Sequence, residues 1–282
     1  MGWPVPQTLS PSSMGAFTSC PLAFRFSYVQ RLPEPPSPPA SKGTLVHRAL
    51  ELLLDRPPDE RVVDAALADL DRAAAELADH PEFSGLDLSP DELEKFRGDA
   101  EALVRRYFEL EDPRAIRPIG LEIKLAADVG KATVRGIIDR LELDDDGELV
   151  VTDYKTGSSP SERWEEKSLA GVHVYALLCE RNFGRRPARV QLLYLSQPEY
   201  IIATPTEGSV RAVVSKSNAV MDAVQRACAR DDFRPRESAL CSFCSFKEFC
   251  PQFGGVPEEA SVVLRERAET AAGRPPLPFA SV

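Results

Sequence analysis

The stretch Gly136-Ile137-Ile138-Asp139-Arg140, followed by Val151-Thr152-Asp153-Tyr154-Lys155-Thr156-Gly157, decides how this chain is read. Both halves lie in β-branched, alternating segments, TVRGIIDRLELD (133–144) and ELVVTDYK (148–155), joined by the turn Asp144-Asp145-Asp146-Gly147. With LEIKLAADV (121–129) ahead of them, they form an expected antiparallel meander. Side chains two apart on a strand share a face, so Asp153 and Lys155 point the same way, beside Asp139 on the neighbouring strand. Two carboxylates there make an oxygen-rich site for a hard divalent cation, Mg²⁺ or Mn²⁺. The Lys155 ammonium can orient a water or offset charge developing on a phosphate. Glu122, at the start of the first strand, reads either as a supporting acid or as an exposed strand charge.

Working outward, short helices are expected at 9–19, ending at Cys20-Pro21, and at 43–54, where Leu45, Ala49, Leu50 and Leu53 recur at helical spacing around His47. Between them LPEPPSPPA (32–40) reads as an extended connector. Helices are expected at 60–79, 90–110, 162–182 and 208–230, and a strand at 189–196. The tail, 254–282, is rich in Pro, Glu and Ala and reads as partly disordered.

The 282 residues are 43% hydrophobic, enough for a real core, and carry a net charge of −10. That charge argues at first against a nucleic-acid partner. It is concentrated, however: residues 51–112 hold seven basic and nineteen acidic side chains, −12 in all. An acidic face beyond the screening length of about 8–10 Å does not prevent a local basic groove from binding. No apolar run approaches the roughly 20 residues of a membrane span, and the first residues lack the basic and apolar regions of a signal peptide, so a cytoplasmic protein with no membrane partner is expected. No G-x-x-x-x-G-K-[ST] occurs, so the chain is not a P-loop ATPase in its own right.

Six cysteines in a reducing compartment call for an explanation other than disulfides. Cys241, Cys244 and Cys250 form C-x2-C-x5-C-P, with Cys20-Pro21 far upstream. Four thiolates suit a [4Fe–4S] cluster or a Cys₄ zinc site, and the one-plus-three arrangement favours iron–sulfur. Cys179 and Cys228 lie in helical apolar patterns and read as ordinary core residues.

These motifs together resemble the RecB-like branch of the PD-(D/E)xK nucleases, which includes the AddB nuclease domain and CRISPR adaptation nucleases. Gly43-Thr44-Leu45-Val46-His47 fits the branch's helical G-x-x-x-H, and Cys20 with the three later cysteines fits its iron–sulfur staple. The resemblance covers roughly residues 9–252. It implies an α/β, restriction-endonuclease-like fold: a mixed central sheet flanked by helices, in one domain over 1–253, with an acidic helical insertion at 51–112. It implies His47, Asp139, Asp153 and the Tyr154 carbonyl as metal ligands and Lys155 as the catalytic lysine. Tyr175 matches the tyrosine of a Gln-x-x-x-Tyr motif, while Gly171 stands in place of the glutamine. His173, about 200° around the helix from Tyr175, cannot substitute.

The expected activity is metal-dependent hydrolysis of DNA from single strands or ends, in repair or recombination, with any unwinding supplied by a separate helicase. The alternative is a non-catalytic or weakly catalytic DNA-end binding module of such a complex. An imidazole ligand favours manganese over magnesium. Candidate phosphate contacts are Arg25, Arg31, Arg48, Arg135 and Arg140, and above all the group Arg181, Arg185, Arg186 and Arg189. Phe24, Phe26 and Tyr28 could stack on bases, but their alternate spacing fits packing around the cluster better.

Overall fold

The structure, a computed structural model, describes residues 2–159 and 162–272. In chain order its elements are β1 (Thr8–Leu9), α1 (Pro11–Ser19), α2 (Pro21–Phe24), a π-helical turn (Arg25–Val29), α3 (Pro38–Asp55), α4 (Val63–Leu77), α5 (Pro81–Ser84), α6 (Pro90–Leu110), β2 (Pro118–Asp128), β3 (Thr133–Leu143), β4 (Leu149–Lys155), α7 (Glu162–Phe183), β5 (Arg189–Tyr194), β6 (Glu199–Ala203), α8 (Glu207–Arg230) and α9 (Ala260–Ala272). Contacts divide the chain into two compact units. Of the described residues, one comprises 2–35, 126–136 and 207–272; the other comprises 36–125, 137–159 and 162–206.

The second unit is a mixed sheet with helices on both faces. β3 and β4 are antiparallel, with Arg140 opposite Thr152 and Leu143 opposite Leu149. β4 and β5 are parallel, with Val151 opposite Val190 and Lys155 opposite Tyr194. β5 and β6 are antiparallel again, and β2 pairs with β3. The parallel pair needs a crossover, which α7 supplies. Alternation then divides the side chains. Leu149 and Val151 of β4 with Val190 and Leu192 of β5 pack on Val172 and Cys179 of α7. Tyr154, Leu193 and Leu195 join the core of Leu45, Ala49, Leu53, Ala73, Phe96 and Tyr107 from α3, α4 and α6. The acidic insertion is therefore a helical layer whose apolar stripe covers one sheet face. α3 begins at Pro38, inside the expected connector, because prolines are tolerated in the first turn of a helix, where the amide needs no partner.

In the other unit β1 pairs in parallel with the first residues of β3, Thr8 opposite Thr133 and Leu9 opposite Val134. α8 buries the stripe Val210, Val213, Ser217, Val220, Met221 and Val224, at helical spacing. A separate core gathers Leu22, Phe26, Leu32, Phe246, Phe249, Ala260 and Leu264. The tail expected to be partly disordered thus contributes α9, anchored by buried Ala260 and Leu264; residues 273–282 lie outside the described residues. Among the described residues no helix is long and apolar enough to cross a membrane.

Candidate metal centre

The β3–β4 hairpin sets the site. Its register places Asp139 beside Asp153, and the Tyr154 amide donates to Asp139 Oδ2 at 2.7 Å. α3 brings the third partner. An added Cβ on Gly43 would stand 3.2 Å from Thr156 Oγ1, so glycine lets the helix approach the end of β4 closely. One turn later His47 Nε2 lies 3.0 Å from the Tyr154 carbonyl oxygen. A carbonyl only accepts, so Nε2 donates there, and Nδ1 faces the acids. Nδ1 is 3.5 Å from Asp139 Oδ2 and 4.0 Å from Glu122 Oε1.

One ligand atom from each of His47, Glu122 and Asp139 lies within 4.8 Å of the others. Glu122, read in the sequence as a supporting acid or an exposed strand charge, is thus part of the tightest donor group. Its backbone sits at φ 49°, a left-handed conformation rare for a side chain of this size in a strand, of the kind that collects at functional sites. Asp153, expected as a ligand, pairs with the Lys155 ammonium through Oδ2, and the Tyr175 hydroxyl donates to its Oδ1 at 2.7 Å. Tyr154 contributes through its backbone, as expected, although its carbonyl oxygen already accepts from His47.

The electrostatics follow from crowding acids in a partly dry place. Burial, with the Asp153 charge next, pushes the Asp139 carboxyl up to about 6. Burial, then Asp139, Glu51 and Asp153, push Glu122 up to about 7. Burial alone would lower the Lys155 ammonium, but Asp153 and Asp139 outweigh it and raise it. Burial and the same two aspartates hold the Tyr175 hydroxyl well above its ordinary range, so it remains a donor. One imidazole nitrogen and converging carboxylates that repel one another fit a divalent cation by donor type, charge and spacing.

Behind the site lies a group that the sequence did not reveal. Arg140, a candidate phosphate contact by its position, is fully buried. Its guanidinium pairs with Glu111 and donates to the Tyr154 hydroxyl at 2.9 Å, which fixes the strand residue that meets both His47 and Asp139. No periodicity marks a charged residue as buried; the partners Glu111, just past the end of α6, and Glu142 on β3 make its burial tolerable.

The arginine group at 181–189 is not brought to the site. Arg185 pairs with Glu148, Arg186 with Glu180 and Arg189 with Asp144. Arg189 faces Val150 across the β4–β5 pair, at the opposite end from Lys155 and Tyr194. The sequence clusters these cations, but the fold supplies each of the three with an acidic neighbour. Arg48 is likewise engaged by Glu51 and Glu76, and buried Arg25 by Asp231.

In the other unit the four motif cysteines are free of disulfides and part-buried. Cys20, Cys244 and Cys250 pack on the Phe26–Phe246–Phe249 core. Burial raises the Cys244 thiol, and Cys20, Cys241 and Cys250 add to the rise, so the remote cysteine and the clustered three are electrostatic neighbours. Cys179 and Cys228 are buried among apolar residues, as read.

The chain was compared with known proteins. A crystal structure of a protein of Eubacterium rectale named "Putative exonuclease" is similar at a TM-score of 0.55 and 14% identity, over 85% of this chain and 87% of that one. The crystal structure of SSO0001 is similar at a TM-score of 0.40 and 14% identity, over 87% and 86%. No curated protein matches the chain. The model of the PD-(D/E)XK nuclease superfamily matches residues 8–251, which include every element of the site, and the chain belongs to that superfamily.

Proposed function

We propose that this protein is a divalent-metal-dependent DNA exonuclease of the RecB-like type, cytoplasmic, acting on single strands or strand ends in repair or recombination alongside a separate helicase. The observation that carries the reading is the convergence of His47, Glu122 and Asp139 within 4.8 Å, beside the Asp153–Lys155 pair. His47 Nδ1 and the two carboxylates would hold the cation, with Asp153 as a further oxygen donor. When bound, the cation supplies an activated water and positive charge for the phosphate oxygens. Lys155 keeps its proton at Nζ and places an ammonium beside the reacting phosphate. Tyr175 fixes Asp153 by its hydroxyl hydrogen bond, and the Tyr154 carbonyl orients the imidazole.

Cys20, Cys241, Cys244 and Cys250 would hold a [4Fe–4S] cluster that staples the start of the unit to its last segment. Their neighbourhood in the fold supports this. Anaerobically purified protein should absorb broadly near 400 nm with about four irons per chain; one zinc and no colour would replace the cluster with a Cys₄ zinc site.

The deciding assay uses 5′- and 3′-labelled single- and double-stranded DNA with Mg²⁺, Mn²⁺ or EDTA. Cleavage that needs metal and is abolished in Asp153→Ala and Lys155→Ala is expected; cleavage persisting in either variant would overturn the assignment. A DNA-end binding module without turnover is the second reading. It is favoured by Gly171, where the related motif has a glutamine and where an added Cβ would meet nothing within 4 Å.

A further inference from the structure

A cleft of about 360 Å³ lies in the unit that carries the cysteines and is lined by Thr8, Phe24, Tyr28, Arg31 and Arg135, among others. Its wall is aromatic. Phe24, fully buried, stacks on Tyr28 with ring centroids 5.2 Å apart and planes 22° apart, so a rigid ring backs a part-exposed one. Phe17 in turn meets Phe24 edge-on at 5.1 Å. Its charge is positive. Among the described residues Arg31 and Arg135 have no carboxylate partner, whereas Arg25, Arg48, Arg140, Arg185, Arg186 and Arg189 all have one. Nearby, the Ser27 hydroxyl is held by Glu34, and Ser13 is engaged in capping α1.

The backbone at Arg31 is unusual. It follows the π-helical turn 25–29 and has φ 53°, while the Gln30 amide donates to the Arg25 carbonyl and the Leu32 amide to the Phe26 carbonyl. A left-handed residue closing a helix is ordinarily glycine, and a long side chain there is strained. Both π-turns and strained residues concentrate where a side chain must be aimed. Here the strained residue is one of the two unpaired cations of the cleft.

We propose that this cleft binds one nucleotide unit of a single-stranded nucleic acid, its base on the Tyr28 ring and its phosphate between Arg31 and Arg135. Stacking accepts any base, and the two guanidinium groups suit a phosphate diester or a terminal phosphate. The inference rests on the reading of the substrate as single-stranded nucleic acid and adds a binding subsite to it.

The test is fluorescence anisotropy of a labelled, 5′-phosphorylated oligothymidylate on the cluster-loaded full chain in EDTA, where cleavage cannot interfere. Tyr28→Ala should weaken binding about tenfold, as loss of one stacked base does, and leave the salt dependence unchanged. Arg135→Ala should also weaken it and reduce the slope of log K against log salt by about 0.7, the share of one phosphate on a single strand. Arg31→Gly should weaken binding while raising the melting temperature, because glycine relieves the strained φ. Thymidine monophosphate should displace the strand at lower concentration than inorganic phosphate. Unchanged affinity in all three variants, or equal competition by inorganic phosphate, would overturn the proposal. Metal-dependent cleavage of the same oligonucleotide is measured separately. A chain that cleaves but ignores these substitutions keeps the nuclease reading and loses the subsite; one that binds through them without cleaving does the reverse.

Discussion

Replacing Asp139 with asparagine should stabilise the metal-free protein while destroying its metal site. The carboxyl is pushed up to about 6 from an ordinary 3.8, by burial and by the Asp153 charge, a rise of about two units. At 1.36 kcal/mol per unit, that is a penalty of about 3 kcal/mol for holding the ionised form in the fold. The sign is set by the direction of the shift. The folded-state value lies above the unfolded one, so the penalty is absent below about pH 4, grows through the interval and is complete above about pH 6. Asparagine keeps an oxygen to accept from the Tyr154 amide, the 2.7 Å bond that Asp139 makes, and cannot ionise. Urea denaturation in EDTA should therefore show Asp139→Asn more stable than wild type by up to about 3 kcal/mol at pH 8 and equal to it at pH 4. Adding Mn²⁺ at pH 8 should stabilise wild type but not the variant. A gain of equal size at both pH values, or no gain at pH 8, would refute the electrostatic account of the site.

Lys155→Met should lower cleavage by about 10²–10⁴-fold while Mn²⁺ still stabilises the protein, since the ammonium is not a donor to the cation; calorimetric loss of metal binding would place Lys155 in a structural role. Arg140→Met should cost about 3–5 kcal/mol by leaving the Glu111 carboxylate buried without its partner, and a melt within error of wild type would show that Glu111 finds another. Joint replacement of Arg185, Arg186 and Arg189 by alanine should leave oligonucleotide affinity and its salt slope nearly unchanged, because each is already paired; a slope reduced by about 2 would return them to the binding face. At saturating metal, Mn²⁺ should support faster cleavage than Mg²⁺, and equal rates would argue against His47 as a direct ligand.

Much of the architecture is legible in the sequence because its signals are local. The β-branched runs at 133–143 and 149–155, the turn at Asp144–Gly147 and the helical spacing of 208–230 each report their element directly. β6 escaped that reading: Glu199–Ala203 is five residues long and follows β5 after a tight turn, so its alternation is too brief to stand out. Within the site, Asp139, Asp153 and Lys155 are visible as neighbours because one hairpin carries them. The place of Glu122 in the donor group depends on a left-handed backbone that no residue pattern announces. The arginine cluster at 181–189 is conspicuous as sequence, but of the acids that pair with Arg185, Arg186 and Arg189 only Glu180 lies beside it; Asp144 and Glu148 come from the turn between β3 and β4.

The imidazole bridge between α3 and β4 also bears on the order in which the site comes into being. Asp139 and the Tyr154 amide are 15 residues apart, and pairing them closes only a hairpin. His47 and the Tyr154 carbonyl are 107 residues apart, and by the logarithmic dependence of loop closure that contact carries an additional entropic cost of about 2 kcal/mol. A nascent chain with the hairpin formed would thus offer oxygen donors alone, chemistry suited to magnesium and calcium. If the cation binds as proposed, the imidazole nitrogen would join the site only when the helical layer docks, and a preference for manganese would be acquired after the hairpin has formed.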